Sequence, residues 1–275
     1  MKRLLQRWNR QRKLRKLKSQ SSRLWRWARW GVRVALLLLV VDVVYLMTIW
    51  PDWNEYKSGK PPKSRFISDY EAKIDNSRLS WRPVSINTMP RHLRRAVIAA
   101  EDARFYHHNG FDVIAFKEAM DTNLELMEFK YGASTISQQT VKNLFFTSSR
   151  TPLRKWHELV FTLGMEWNLK KRRILETYLN IAEFGKGVYG VEAASWHYFG
   201  KSVYSINQRE AAQLAACLPS PVKHNPDTQT KRFVKRSNRI YRWIQTQNVE
   251  KKVAKKGSRR YSRFSPASKY PRRGH

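Results

Sequence analysis

The sequence predicts a mainly α-helical protein carried behind a single membrane-spanning helix. Three observations lead there. Val34–Trp50 (VALLLLVVDVVYLMTIW) is an almost uninterrupted apolar run. From Pro90 to about residue 247, apolar residues recur at helical rather than alternating spacing. Hydrophobic residues make up 41% of the 275, enough for a packed core and too many for wholesale disorder.

The apolar run comes first. Its seventeen residues sit at the short end of what spans a bilayer, and Arg33 can extend it by snorkelling to the interface. Trp25, Trp27, Trp30, Trp50 and Trp53 bracket it in the manner of an aromatic belt. Asp42 is its one charge; a mid-membrane carboxylate costs roughly 2.5–3.5 kcal/mol, which about a dozen aliphatic side chains can offset. No small-residue cleavage site follows, since the next residues are Pro51-Asp52-Trp53, so an anchor is expected rather than a cleaved leader.

Charge divides the chain. The net +33 sits in two arms: residues 1–33 hold 13 Lys/Arg and no acid, and 231–275 hold 16 with one acid, Glu250. Between them, 25 basic and 20 acidic residues nearly balance. Basic arms suit nucleic acid or an anionic membrane equally, and the apolar run favours the membrane. Thirteen positive charges before the run, against Lys57 and Lys60 offset by Asp52 and Glu55 after it, predict a cytoplasmic N-terminus and an exported remainder. That placement argues against nucleic acid as a partner. The single Cys217, in AAQLAACL, excludes an intrachain disulfide and reads as a small core residue.

Residues 51–65 read as a polar linker and 66–90 (SRFISDY, WRPVSI) as extended structure. Helices follow in HLRRAVIAAEDARF, FDVIAFKEAMDTNLELM and STISQQTVKNLFF. Thr151-Pro152 caps a fourth helix, with Trp156, Val160, Leu163 and Trp167 as its core stripe. RRILETYLNIAEF is expected to end at Gly185, GVEAASWHYFG at Gly200, and SINQREAAQLAACL to open on a Ser205–Gln208 capping box. KRFVKRSNRIYRWIQTQ closes the folded part, and 249–275 reads as a basic disordered tail.

Polar residues cluster in four segments. In EDARFYHHNG an apolar run delivers Glu101 to what is either a plain helix end or a low-dielectric site, where desolvation would make it a proton acceptor. His108 reads as structural. In GASTISQQTVKN, Gly132 would allow a close backbone approach. Ser134, Thr135, Gln138, Gln139, Lys142 and Asn143 crowd hydrogen-bonding groups onto a short helix whose N-terminus suits phosphate. Phe145-Phe146 would bring that face near a bilayer. In RTPLRKWHE, Arg154 and Glu158 are four apart, with Lys155 adjacent and Arg150 upstream: a surface ion pair, or a second carboxylate beside a phosphate site. Glu176 and Asn180, in RRILETYLN, read as structural.

With EDARFYHHNG, GASTISQQTVKN, RKWHE and RRILETYLN in this order, followed by GVYGVEAASWHYFGK, the chain resembles the family 51 peptidoglycan glycosyltransferases, specifically the monofunctional transglycosylases, over roughly 65–240. The resemblance implies a lysozyme-like helical lobe with a small membrane-associated jaw at about 111–150. It implies polymerisation of lipid II at a bacterial inner membrane. Glu101 would be the general base on the acceptor hydroxyl. Glu158 would be a second carboxylate at the diphosphate, directly or through a divalent cation (Mg or Mn). Lys142, Arg150, Arg154 and Lys155 would hold diphosphates, and Ser134, Thr135, Gln139 and Asn143 would line the sugar path. Cell-wall synthesis or division proteins are conceivable partners. The organisation expected is an arm (1–33), a spanning helix (34–50), a linker (51–65), a catalytic domain (66–248) and a tail (249–275). A lysozyme-like glycan-cleaving enzyme is the competing reading, because it uses the same pair of carboxylates.

Overall fold

The computed structural model describes residues 1–73, 79–128, 132–147 and 151–263. The chain divides into two compact units, 1–51 and 52–275. The first is one helix, α1 (Lys2–Thr48). Its stretch Trp25–Thr48 is long and apolar enough to cross a membrane, and nearly all of its side chains are exposed.

The second unit begins before the expected linker ends. Trp53 is buried, edge-on to Phe145 (centroids 5.7 Å) and Phe161 (6.5 Å), so it is a core residue and not part of an aromatic belt. Asp52 accepts from Asn54 N at the start of α2 (Asn54–Lys57). Arg173 then donates to Tyr56 O (2.6 Å) and Ser58 O (3.0 Å). Residues 52–58 are therefore bound to the domain. Phe145 and Phe146, expected near a bilayer, pack against Phe161 in this same aromatic cluster.

SRFISDY is helical, not extended: it forms α3 (Arg65–Lys73). Ser64 Oγ accepts from Ile67 N, and Phe66, Ile67 and Tyr70 share one inward face. The overlooked signal is the cap residue followed by apolar residues three apart. Among the described residues, strand is confined to β1 (Ser80–Trp81), which pairs parallel with β3 (Val188–Tyr189), and β2 (Glu183–Gly185), which pairs antiparallel with β3. 

Helices carry the rest. α4 (Arg91–Glu101) buries Leu93, Ala96 and Val97, and a 3-10 turn (Phe105–His107) follows it. α5 (Val113–Glu125) is capped by Asp112, and α6 (Ile136–Phe145) by Thr135. α7 (Pro152–Asn168) has the expected Thr151 cap, but its stripe is misassigned. Trp156 (46%), Leu163 (48%) and Trp167 (91%) are exposed, while His157, Glu158, Phe161, Thr162 and Met165 face inward. Packing against α6 and α8 (Lys171–Ile181) buries the face that carries His157, Glu158 and Thr162 beside Phe161 and Met165, so the two tryptophans face out.

α8 stops at Ile181, short of Gly185, because the chain turns into β2. α9 (Val191–Phe199) ends at left-handed Gly200 as expected. The capping box of α10 (Gln208–Cys217) is Asn207–Glu210; Ser205 belongs to the preceding 3-10 turn (Val203–Ser205). Cys217 is buried, and burial pushes its thiol up. α11 (Lys231–Arg263) packs on α10 and α4 and continues past residue 248, into the stretch expected to be disordered. Residues 264–275 lie outside the described residues.

Candidate active site

The site assembles where α4, α6, α7 and α8 meet. The segment preceding α4 is held by the two α8 residues expected to be structural. Asn180 Oδ1 accepts from Val84 N and its Nδ2 donates to Val84 O, while Glu176 Oε1 accepts from Ile86 N. Gly190 (φ +82°) lies against this staple: a Cβ there would stand 2.6 Å from Asn180 O.

Glu101 is the last residue of α4, and its side chain is 10% exposed. Gln139 Nε2 donates to Oε2 (3.1 Å) and Arg236 Nη2 to Oε1 (2.7 Å). Burial raises its pKa, opposed by the Arg236 charge, the Gln139 bond and Lys142. Gln139 is itself held by Tyr178, whose hydroxyl donates to its Oε1 (3.0 Å). Glu101 is thus buried rather than a plain exposed helix end.

Its neighbour Asp102 faces another way. It accepts from Ile136 N (3.0 Å) and from His108 Nε2 (2.9 and 3.0 Å). His108 Nδ1 accepts from Gly110 N (3.1 Å), which leaves Nε2 as the nitrogen that donates to Asp102. Thr135 Oγ donates to Gly110 O and accepts from Gln138 N, while Gln138 Oε1 accepts from Thr135 N. The N-terminus of α6 is thus buried and capped by Asp102, Thr135 and Gln138. It is not open to phosphate, and the Thr135 hydroxyl is consumed by structure. Gly132 makes no close approach; a Cβ there would meet open space. Ser134 is exposed just before the cap.

The open face of α6 carries Gln139, Lys142 and Asn143. They line a cleft of about 210 Å³ with Tyr178, Glu183 and Tyr189, and with Phe66, Pro219 and Pro221 among the other walls. A larger depression near Trp243 and Arg91 contains none of the expected site residues.

Glu158 is 2% exposed, so it is no surface ion pair. Arg154 Nη1 binds Oε1, and Lys155 Nζ donates to Oε2 at 3.1 Å. Burial lowers the Lys155 pKa, with Arg154 and then Lys142 adding to the effect. The charge of Lys142 thus bears on both Glu101 and Lys155. Cations gathered around a carboxylate in this way are chemically suited to a multiply charged anion. Arg150 lies outside the described residues.

Two features test a metal. Both Glu158 oxygens already face cations, which does not fit a divalent ion bound directly by that carboxylate. Asp102, His108 and Asp112 offer ligand atoms within 4.8 Å of one another. Those atoms serve Ile136 N, each other, Arg104 and the first amides of α5. 

The sequence does not point to Arg236 or Tyr178. Arg236 belongs to the C-terminal basic arm, yet it shares a helical stripe with buried Phe233, Ile240 and Ile244. A cation inside an apolar stripe was the signal available.

A buried carboxylate with cations nearby on a helical scaffold is chemically compatible with group transfer involving an anionic substrate. The transglycosylase family profile matches residues 69–245, and the chain belongs to that family. It is 39% identical over 215 residues (76% of this chain, 92% of the relative) to the biosynthetic peptidoglycan transglycosylase of Nitrosospira multiformis. To the proteins of the same name from Aeromonas hydrophila and Shewanella oneidensis it is 46% identical over 193 residues (69% and 77%) and 43% over 211 (76% and 84%).

Proposed function

We propose that the chain polymerises peptidoglycan glycan strands from lipid II. The observation that carries this reading is Lys142, whose charge acts on buried Glu101 and also on Lys155, which pairs with Arg154 around buried Glu158. Glu101 takes the proton of the acceptor sugar hydroxyl as that oxygen attacks the anomeric carbon of the growing lipid-linked strand. The bond from that carbon to the diphosphate breaks, and its electron pair leaves on the polyprenyl diphosphate. Lys142, Arg154 and Lys155 stabilise the charge developing there. Glu158 holds Arg154 and Lys155 in place. Gln139, Asn143 and exposed Ser134 contact sugar, and Arg150 is assigned to the same anion. A hydrolase would use the carboxylates but has no need of three crowded cations, so cleavage is the weaker reading.

A divalent cation (Mg or Mn) would lie on the diphosphate rather than on Glu158, and would add charge neutralisation when bound. Trp25–Thr48 anchors the protein in the inner membrane, with the N-terminus cytoplasmic by its charge bias. The exposed apolar residues of α5, Val113, Ile114 and Phe116, suit a jaw at about 111–150 that touches lipid. Cell-wall synthesis or division proteins would be recruited through the membrane helix.

The test is incubation of the detergent-solubilised full chain with labelled lipid II, with a divalent cation and with chelator. Long glycan product is expected, and Glu101→Gln, although folded, should make none. Short muropeptides from added glycan, without polymer, would establish the lytic reading instead.

A further inference from the structure

Glu101 receives a cation from the far end of the domain. α11 lays Phe233, Ile240 and Ile244 against the rest of the unit, and Arg236 occupies the same stripe. A guanidinium there is costly unless it is paired. Its Nη2 reaches Ala100 O (3.1 Å) and Glu101 Oε1 (2.7 Å), so it grips the last turn of α4 and the acidic side chain together.

The groups facing Glu101 are few. α6 contributes Gln139 and Lys142, α8 contributes Tyr178, α11 contributes Arg236, and Asp102 follows in the chain. Tyr178 and Asp102 bring no positive charge. Lys142 lines the cleft, where the diphosphate of the proposed reaction would take up its charge. Arg236 would then be the cation that stays with Glu101 through turnover. Its bond to Oε1 is charge-assisted and short, whereas Oε2 is held by a neutral amide at 3.1 Å from a residue that lines the cleft.

We propose that Arg236 is a positioning residue for Glu101: it pins Oε1, keeps the carboxylate ionised, and leaves Oε2 as the oxygen that receives the acceptor proton. This rests on Glu101 being the base. Of the influences that oppose burial at Glu101, Arg236 is the largest, ahead of Gln139 and Lys142.

The experiment is the pH–rate profile of lipid II polymerisation by the full chain in detergent, for wild type, Arg236→Met, Arg236→Gln and Arg236→Lys. In Met and Gln the acid limb of kcat/KM should move up by about one pH unit, the lower end for loss of a neighbouring cation. That is about a tenfold loss on the acid side, with recovery towards the wild-type rate as pH rises. KM should stay within about twofold, and Lys should return the limb close to its wild-type position. Gln retains a donor for Ala100 O and carries the test if Met does not fold. An equal loss at every pH, or a limb that does not move, overturns the proposal. Glu101→Gln separates the two ideas: an active Glu101→Gln enzyme removes the base, whereas an inactive one with unmoved Arg236 profiles removes only the role of Arg236.

Discussion

His108 donates from Nε2 to both carboxylate oxygens of Asp102, at 2.9 and 3.0 Å, one residue beyond the proposed base. The pair ties the end of α4 to the first amide of α6, so the two helices that carry Glu101 and Gln139 are fixed to each other by a contact that touches no substrate. His108→Ala leaves Asp102 buried with fewer donors and should cost about 1–3 kcal/mol, the scale for an unsatisfied buried group. Urea unfolding of the detergent-solubilised full chain would read it, and an unchanged midpoint would contradict the assignment.

Gln139 bridges Glu101 and Tyr178. Gln139→Ala removes the donor to Oε2 and unseats the wall of the cleft. Polymerisation should fall at least tenfold through kcat, on the order of a lost oriented hydrogen bond. Steady-state kinetics on lipid II test it, and a change confined to KM would assign Gln139 to sugar binding alone.

Lys155 has its ammonium disfavoured by burial and by Arg154 and Lys142. A depressed pKa means that the charge is lost at a lower pH than for an ordinary lysine. The free enzyme should therefore lose donor affinity as pH rises into the alkaline range, while bound diphosphate restores the charge. The expected signature is a fall in kcat/KM with a smaller fall in kcat. Lys155→Arg should flatten that limb, and an unaltered limb in the variant would exclude Lys155 as its source.

Gly190 has φ +82°, and an added Cβ would stand 2.6 Å from Asn180 O. Gly190→Ala combines backbone strain with a collision against backbone, and should cost about 3 kcal/mol or more. Its thermal midpoint should drop by more than that of Gly132→Ala, whose Cβ meets open space.

Helix content and most boundaries were legible because caps and periodicity are local: Thr151 before α7 and Gly200 after α9 are where their residue types place them. The α7 stripe misled because hydrophobicity was taken as a proxy for burial, and at a site the buried face belongs to groups such as Glu158 and Thr162. The α6 N-terminus misled similarly, because Asp102, which seals it, is 34 residues away in sequence. Glu101 and Glu158 could be singled out from local pattern. Arg236 could not, since nothing near residue 101 in the sequence announces a partner 135 positions on.

The distance along the chain between Glu101 and Arg236 also sets an order of events. A ribosome makes residue 101 well before residue 236, so until α11 has emerged and docked, the acidic side chain lacks its guanidinium and the α4 terminus its grip. Competence to transfer is thereby tied to completion of the fold, and a polypeptide cut short before its last helix would hold the motifs without the finished centre.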